Sequence, residues 1–318
     1  MNNLLFVAPD SVGIVKVIHD GFKSYTNYQV DFFNIEDCKD KFKYRNFLHR
    51  AANFFSKLIL KKNLKKVHYQ KLVSGRISKL SEKYETIIII RPDFLSDTNL
   101  LLLREKANYF VAYYWDTVAF FSRKLDIRHF FDKIFSFDSH DCEKYGFVFL
   151  PNFYFFENSP GEIKYEVYNL SSYDKRKFLL EKVAQRLEEL RVSYKIRCRS
   201  GKPVNSKYIE RFENIIDYRE MLGEVAFCNV LLEIQTSNQN GLTFRPFEAL
   251  GLNKKLITNS KVIRDYDFYD ENNILIIDET NISIPKQFFE TPYKKIPDTV
   301  KQKYHLKNWV TAILTKTH

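Results

Sequence analysis

Residues 85–91 read ETIIIIR, four consecutive isoleucines closed off by charge at both ends. A short run that is apolar at every residue, rather than at every second one, leaves no face for water. Such a strand belongs inside a parallel sheet covered by helices on both sides. The segments around it repeat that message. Residues 3–8, 28–35, 109–114, 133–137 and 148–150 read as further strands. Residues 11–22, with Ser11 as a possible cap, 97–107, 117–131 and 140–145 read as helices, and 44–83 as a basic helical stretch. This alternation predicts a doubly wound parallel sheet.

Residues 151–160, PNFYFFENSP, carry proline at both ends and little periodicity. A domain boundary fits there, dividing the chain into 1–152 and 153–318. The second half reads as another α/β set. Its strands are 165–170, 194–197, one within 211–216, 230–234, 255–259 and 274–277. Its helices are 175–190, 218–226, one opening near Thr243, and a terminal one over 297–315. A length of 318 residues suits two ordinary domains, and 45% hydrophobic content can fill two cores.

Cys38, Cys142, Cys198 and Cys228 are scattered with no CxxC pair, which points to a reducing compartment and no structural zinc. The chain opens directly into a strand, so no signal peptide is expected. No run approaches the length of a membrane span, and a cytoplasmic location is expected. The net charge of +11 is local: residues 39–83 hold 14 Lys and Arg against two acids. No GxGxxG, P-loop or GxSxG pattern is present, so NAD, P-loop nucleotide chemistry and Ser-His-Asp hydrolysis are not proposed.

The stretch VLLEIQTSNQNGLTFRPFEALGLNKKLITNS, residues 230–260, reads as strand, polar loop, helix and strand. A loop outside the carboxyl end of a parallel strand, at a helix N-terminus, is where such sheets bind ligands. Pro246 suits a first helical turn. Arg245 in that turn opposes the helix dipole, which makes sense if an anion is clamped there. Glu248 lies one turn further in, within reach of a sugar hydroxyl.

Gly241, Leu242, Thr243, Phe244, Arg245, Pro246, Phe247, Glu248, Ala249, Leu250 and Gly251, followed by Lys254 to Thr258, resemble the donor-binding segment of GT-B glycosyltransferases. The resemblance implies two Rossmann-like domains facing a central cleft, with a C-terminal helix. It implies a nucleotide diphosphate held by Gly241, Leu242, Thr243, Phe244 and Arg245, with Glu248 on the ribose. Asn240 stands where many retaining members carry a second glutamate, so the stereochemical course stays open. Ser171 and Arg176, in NLSSYDKR after the first strand of the second half, match a loop that faces the diphosphate. Ser172 reads there as a helix cap.

In the first half, Tyr113, Tyr114, Trp115, Asp116 and Thr117 end a strand. An aromatic platform beside a carboxylate suits a sugar, and Asp116 is a candidate general base. An N-cap for helix 117–131 is the plainer role. Asp138, His140 and Asp141 also end a strand. Capping suits that group better than a metal, and the resemblance implies no metal and no cofactor in catalysis.

The basic segment 41–66 interleaves Lys and Arg with Phe47, Leu48, Ala51, Phe54, Phe55, Leu58 and Ile59 at helical spacing. Such a helix can lie in a headgroup layer with its cations on anionic lipid. Packing on its own sheet competes. Nucleic acid is not expected, because no recognised binding module surrounds the patch.

These readings lead to a glycosyltransferase using a nucleotide-sugar donor and a saccharide or lipid-linked saccharide acceptor, peripheral on the inner face of the cytoplasmic membrane. Bacterial surface polysaccharide, lipopolysaccharide or capsule synthesis is the expected setting. The alternatives are a nucleotide-sugar epimerase of similar shape, or a non-catalytic polyanion- or membrane-binding α/β protein.

Overall fold

A computed structural model of the chain describes residues 2–10, 12–39, 42–59, 63–156, 161–236 and 239–316. Contacts divide it into two compact units, Met1–Ser136 with Gly146–Val148, and Phe137–Tyr145 with Phe149–His318.

The first half of the chain runs β1 (Asn3–Ala8), α1 (Ile14–Tyr25), β2 (Gln29–Asn34), α2 (Phe47–Ile59), α3 (Leu64–Ile77), β3 (Tyr84–Ile90), α4 (Asp97–Lys106), β4 (Ala107–Tyr114), α5 (Arg123–Asp126), β5 (Lys133–Ser136), α6 (Ser139–Tyr145) and β6 (Val148–Phe149). The second runs β7 (Tyr165–Ser172), α7 (Lys177–Glu189), β8 (Tyr194–Arg199), β9 (Glu210–Phe212), α8 (Tyr218–Ala226), β10 (Cys228–Glu233), α9 (Phe244–Gly251), β11 (Lys255–Thr258), β12 (Ile274–Ile276), α10 (Gln287–Glu290), α11 (Asp298–Lys303) and α12 (Leu306–Leu314).

The isoleucine strand β3 is central, as its composition requires. The first sheet has the order β2-β1-β3-β4-β5-β6, with parallel pairing from β2 through β5. Ile87, Ile88, Ile89 and Ile90 are all fully buried, so both faces of the sheet are covered. The turn from β1 into α1 is built by Asp10, whose carboxylate accepts the N–H groups of Gly13 and Lys16 at 2.7 and 3.1 Å. Gly13 supplies the left-handed backbone there, at φ 86°. The suggested cap Ser11 lies outside the described residues.

The second sheet has the order β12-β11-β10-β7-β8-β9, all parallel. The chain builds outward from β7 through β8 to β9, then returns to the other side of β7 and builds outward again. This is the doubly wound order with its reversal between β7 and β10, where a crevice opens at the carboxyl ends of the strands. Successive residues feed opposite cores. Tyr168, Leu231 and Leu256 join Phe247 and Leu250 of α9 on one face. Val167, Val230, Leu232 and Ile257 join Leu180, Val183 and Leu187 of α7 on the other.

Three expectations need correction. The helix anticipated over 117–131 is reduced to the single turn α5 and a 3₁₀ turn at Arg128–Phe130. The fully buried Lys124 sends its ammonium to the carbonyl of Asp116, and the Tyr114 hydroxyl donates to the Lys124 carbonyl at 2.9 Å. These tertiary bonds displace the helical pattern. The strand anticipated within 211–216 lies at the start of that window and begins one residue before it, as Glu210–Phe212. The terminal helix is split, because Tyr154 N–H donates to the Tyr304 carbonyl at 2.9 Å and Leu306 N–H to the Tyr154 carbonyl at 2.8 Å.

The basic stretch forms two helices, α2 and α3, and α2 is inside out. Phe47, Leu48, Phe54, Phe55 and Leu58 are 56–80% exposed. Among the described side chains of α2 only Asn53 is buried; it donates to the Tyr44 hydroxyl at 2.7 Å and accepts Leu64 N–H at 2.8 Å. Lys61 and Lys62 lie outside the described residues.

Gly251 closes α9 against Tyr154. A Cβ there would sit 2.8 Å from that ring. Replacing a helical glycine by alanine ordinarily stabilises by up to about 1 kcal/mol. Gly251→Ala is expected to do the reverse, losing about 1–3 kcal/mol in urea denaturation through overpacking. A gain in stability would refute the close packing.

Candidate functional site

The crevice at the β7–β10 reversal is a cavity of about 270 Å³. Asn169, Leu170 and Ser171 from β7, Arg176 from the following turn, Tyr218 and Met221 from α8, Glu233 from β10 and Thr243, Phe244, Arg245 and Glu248 around the start of α9 line it. Six residues singled out in the sequence therefore meet at one place: Ser171, Arg176, Thr243, Phe244, Arg245 and Glu248. Asn240, Gly241 and Leu242 do not line this cavity. The amide N–H of Asn240 donates to Asp138 at 3.3 Å. Gly241 is pressed on Phe137, whose ring and carbonyl would lie 2.6–2.7 Å from an added Cβ. Leu242 is core, and its carbonyl accepts from Asn152 at 2.9 Å.

Thr243 is the N-cap of α9, its hydroxyl accepting Arg245 N–H at 3.2 Å. The cation that opposes the helix dipole has a local answer. Arg245 forms an ion pair with Glu248 one turn on, and its other guanidinium nitrogen reaches the Leu170 carbonyl at 3.4 Å. Glu248 is 2% exposed and also accepts the Tyr218 hydroxyl at 2.5 Å. Burial, the largest single influence, works against the Arg245 charge, but Glu248 together with the smaller pulls of Tyr218, Tyr168 and Glu233 holds the guanidinium pKa above its ordinary value. Burial, with the Glu248 charge beside it, pushes the Tyr218 phenol well up.

Arg176 is held in the same manner. Asp174 takes it in a fork, at 2.9 Å to Nε and 2.6 Å to Nη2, and the third nitrogen reaches the Ile234 carbonyl at 3.2 Å. Ser171 donates to Asn169 Oδ1 at 3.0 Å, which in turn ties β7 to the Leu232 carbonyl of β10 at 2.7 Å.

Glu233, Tyr218 and Asn169 were not singled out in the sequence. Glu233 ends β10, buried, with its oxygens on the Thr243 and Thr258 hydroxyls, the latter at 3.1 Å. Burial raises its carboxyl pKa, against the pull of the two hydroxyls, Arg245 and Arg176. A carboxylate closing the apolar run VLLE is the signal that could have found it. Tyr218 carries no such signal.

In the first unit Asp116 follows β4 and is ion-paired to Arg91 at 2.9 Å. Arg91, in the left-handed region at φ 59°, also forks onto Asp93 at 2.9 and 2.8 Å and lies between the Phe94 and Phe121 rings. Tyr113 and Tyr114 are fully buried, so the aromatic platform expected beside Asp116 is absent from those two residues. Asp138 accepts Asp141 N–H at 3.1 Å, binding the first turn of α6. Among the described residues no group of three or more His, Cys, Asp or Glu is placed to hold a metal ion.

The chain matches no family model and no curated protein. Its fold is similar to that of a UDP-forming α,α-trehalose-phosphate synthase from Burkholderia xenovorans, solved with glucose-6-phosphate. The TM-score is 0.60 at 10% identity over 98% of this chain and 99% of that one. It is also similar to an α-glucosyltransferase solved with UDP and a 13-mer DNA, at 0.57 and 11% over 99% and 95%. A UDP-GlcNAc 2-epimerase from Methanocaldococcus jannaschii gives 0.53 and 11% over the whole of both chains. The likeness is one of fold: α/β, with two Rossmann-like domains of the GT-B class.

The buried pair makes a test of the site's construction. Arg245→Met strands Glu248 and is expected to cost about 3–5 kcal/mol in urea denaturation. The double variant Arg245→Met with Glu248→Leu should recover much of that loss. Equal damage in single and double variants would show that the pair is not what holds α9.

Proposed function

We propose that this chain is a glycosyltransferase that takes its sugar from a nucleotide-sugar donor bound in the β7–β10 cavity. One observation carries the reading: Ser171, Arg176, Thr243, Arg245 and Glu248 converge on a cavity at the strand-order reversal, beside a helix N-terminus. Backbone amides, hydroxyls and two arginines at such a place suit a diphosphate leaving group, whose developing charge fixed dipoles and cations stabilise. Glu248 is assigned to the ribose, exchanging its Tyr218 bond for a sugar hydroxyl. Asp116 is assigned to the acceptor, as base or as ligand, and the reading invokes no metal in the transfer step. The similar folds of a UDP-forming synthase and a glucosyltransferase crystallised with UDP support the same class of chemistry.

The acceptor in this reading is a saccharide or lipid-linked saccharide, in synthesis of a bacterial surface polysaccharide, lipopolysaccharide or capsule. The outward apolar face of α2 supports it. Phe47, Phe54 and Leu58 share that face, with Leu48 and Phe55 beside it, and Arg50 and Lys57 flank it. No acid occurs from residue 41 to 66. Apolar insertion with cations on anionic headgroups is the partner chemistry that such a face offers. Among the described residues no helix is long and apolar enough to cross a membrane. An epimerase, the second reading, has a similar fold in the 2-epimerase, but a nucleotide-sugar substrate alone leaves the α2 face unexplained.

Thermal denaturation with UDP, GDP, CMP and dTDP tests the donor. A true donor nucleotide at 100 times its Kd is expected to add about 2.7 kcal/mol of stability. Glu248→Gln should then weaken it by about 1–3 kcal/mol in calorimetry. No stabilisation by any of the four would remove the donor assignment.

Flotation with anionic vesicles tests the surface. Changing Phe47, Phe54 and Leu58 to Ser is expected to release the protein from vesicles while each change shifts stability by no more than about 0.5 kcal/mol, as exposed positions allow. Wild-type protein that ignores such vesicles at low salt would refute the membrane partner.

A further inference from the structure

The cavity poses a charge problem. Its charged walls are Arg176, Arg245, Glu233 and Glu248, with the Tyr218 phenol among them, and Asp174 stands behind Arg176. Arg176 is already forked by Asp174, and Arg245 is already paired with Glu248. Glu233 differs from the other two acids: the partners of its oxygens are the hydroxyls of Thr243 and Thr258, and neither is a cation. An entering diphosphate would therefore meet a wall whose cations are matched and which still holds one buried carboxylate. Like charges confined together in a low-dielectric site do not both stay ionised.

We propose, resting on the donor reading, that Glu233 carries a proton whenever a nucleoside diphosphate group occupies this cavity, so that donor binding takes up one proton from solvent. The proton goes to a carboxylate oxygen. The hydroxyl of Thr243 or Thr258 on that oxygen then turns and accepts where it had donated. The neutral carboxyl leaves Arg245 and Arg176 facing the phosphates with one negative charge fewer in the wall. The other groups around Glu233 do not replace it. Glu248 is tied to Arg245 and Tyr218, Tyr218 is a phenol held far above neutral pH, and Cys198, bonded to Ser171 at 3.4 Å, is a thiol pushed up by burial. Burial already disfavours the Glu233 charge before any ligand enters, and an anion adds to that in the same direction.

The test is calorimetric titration of the full chain with UDP, GDP, CDP, dTDP and ADP, carrying forward the tightest. It is run at several pH values from 6 to 9, in paired buffers of different ionisation enthalpy. Wild-type protein is expected to take up close to one proton in part of that range. Above the free-state pKa of Glu233 its affinity should fall by up to tenfold per pH unit, until the pKa of the complex is passed. Glu233→Gln keeps the shape and can still bond both threonines. It should bind the same nucleotide with no uptake, and its affinity should follow only the ligand's own titration.

Nucleotide binding without uptake at any pH from 6 to 9 would overturn the proposal and leave the donor reading standing. Uptake that persists in Glu233→Gln would assign the proton elsewhere and overturn it equally. Failure of all five nucleotides to bind would fell the donor reading, and the proposal with it. The wild-type measurement alone decides the matter if the variant does not fold.

Discussion

The second half of the molecule depends on a constraint of chain direction. β7 and β10 lie side by side, yet the chain leaves them for opposite flanks of the sheet. The connections therefore diverge and leave a crevice above their carboxyl ends. Everything proposed about the site follows from what fills that gap: Asn169 and Ser171 from one strand, Glu233 from the other, and the opening turn of α9 across them.

A crevice of this kind is costly to line with charge. The fold meets that cost by matching each arginine with a carboxylate before any ligand arrives: Arg245 with Glu248, Arg176 with Asp174. The matched pairs fix the side chains in geometry, which is what a preorganised anion site requires, and they explain a cation in the first turn of α9 without a bound anion. The same matching limits how much free positive charge the site can offer.

Much of this was legible in the sequence. The isoleucine run placed β3 at the centre of its sheet, and the strand–loop–helix reading of 230–260 located β10, α9 and β11. Arg245 stood out because it broke a local rule, and it lines the β7–β10 cavity in an ion pair with Glu248. What was missed had no local signature. Tyr218 reaches Glu248 from 30 positions away, a meeting fixed by tertiary packing. Helix 117–131 failed because buried Lys124 and Tyr114 made bonds that no propensity anticipates. The helical spacing of α2 is plain in the sequence, but periodicity does not say which side faces the protein; in the structure that side carries Asn53.

The attachment of α2 to the rest of its unit carries an energetic consequence. Asn53 is its one buried side chain among those described, and it is held by an amide's bonds to Tyr44 and Leu64 rather than by apolar packing. Among the described side chains, freeing the helix therefore exposes little additional hydrocarbon. Its local opening is expected at the low end of the free-energy range that native proteins span, with a small heat-capacity increment. Amide hydrogens of α2 should exchange early and nearly independently of denaturant, while those of β3 wait for global unfolding.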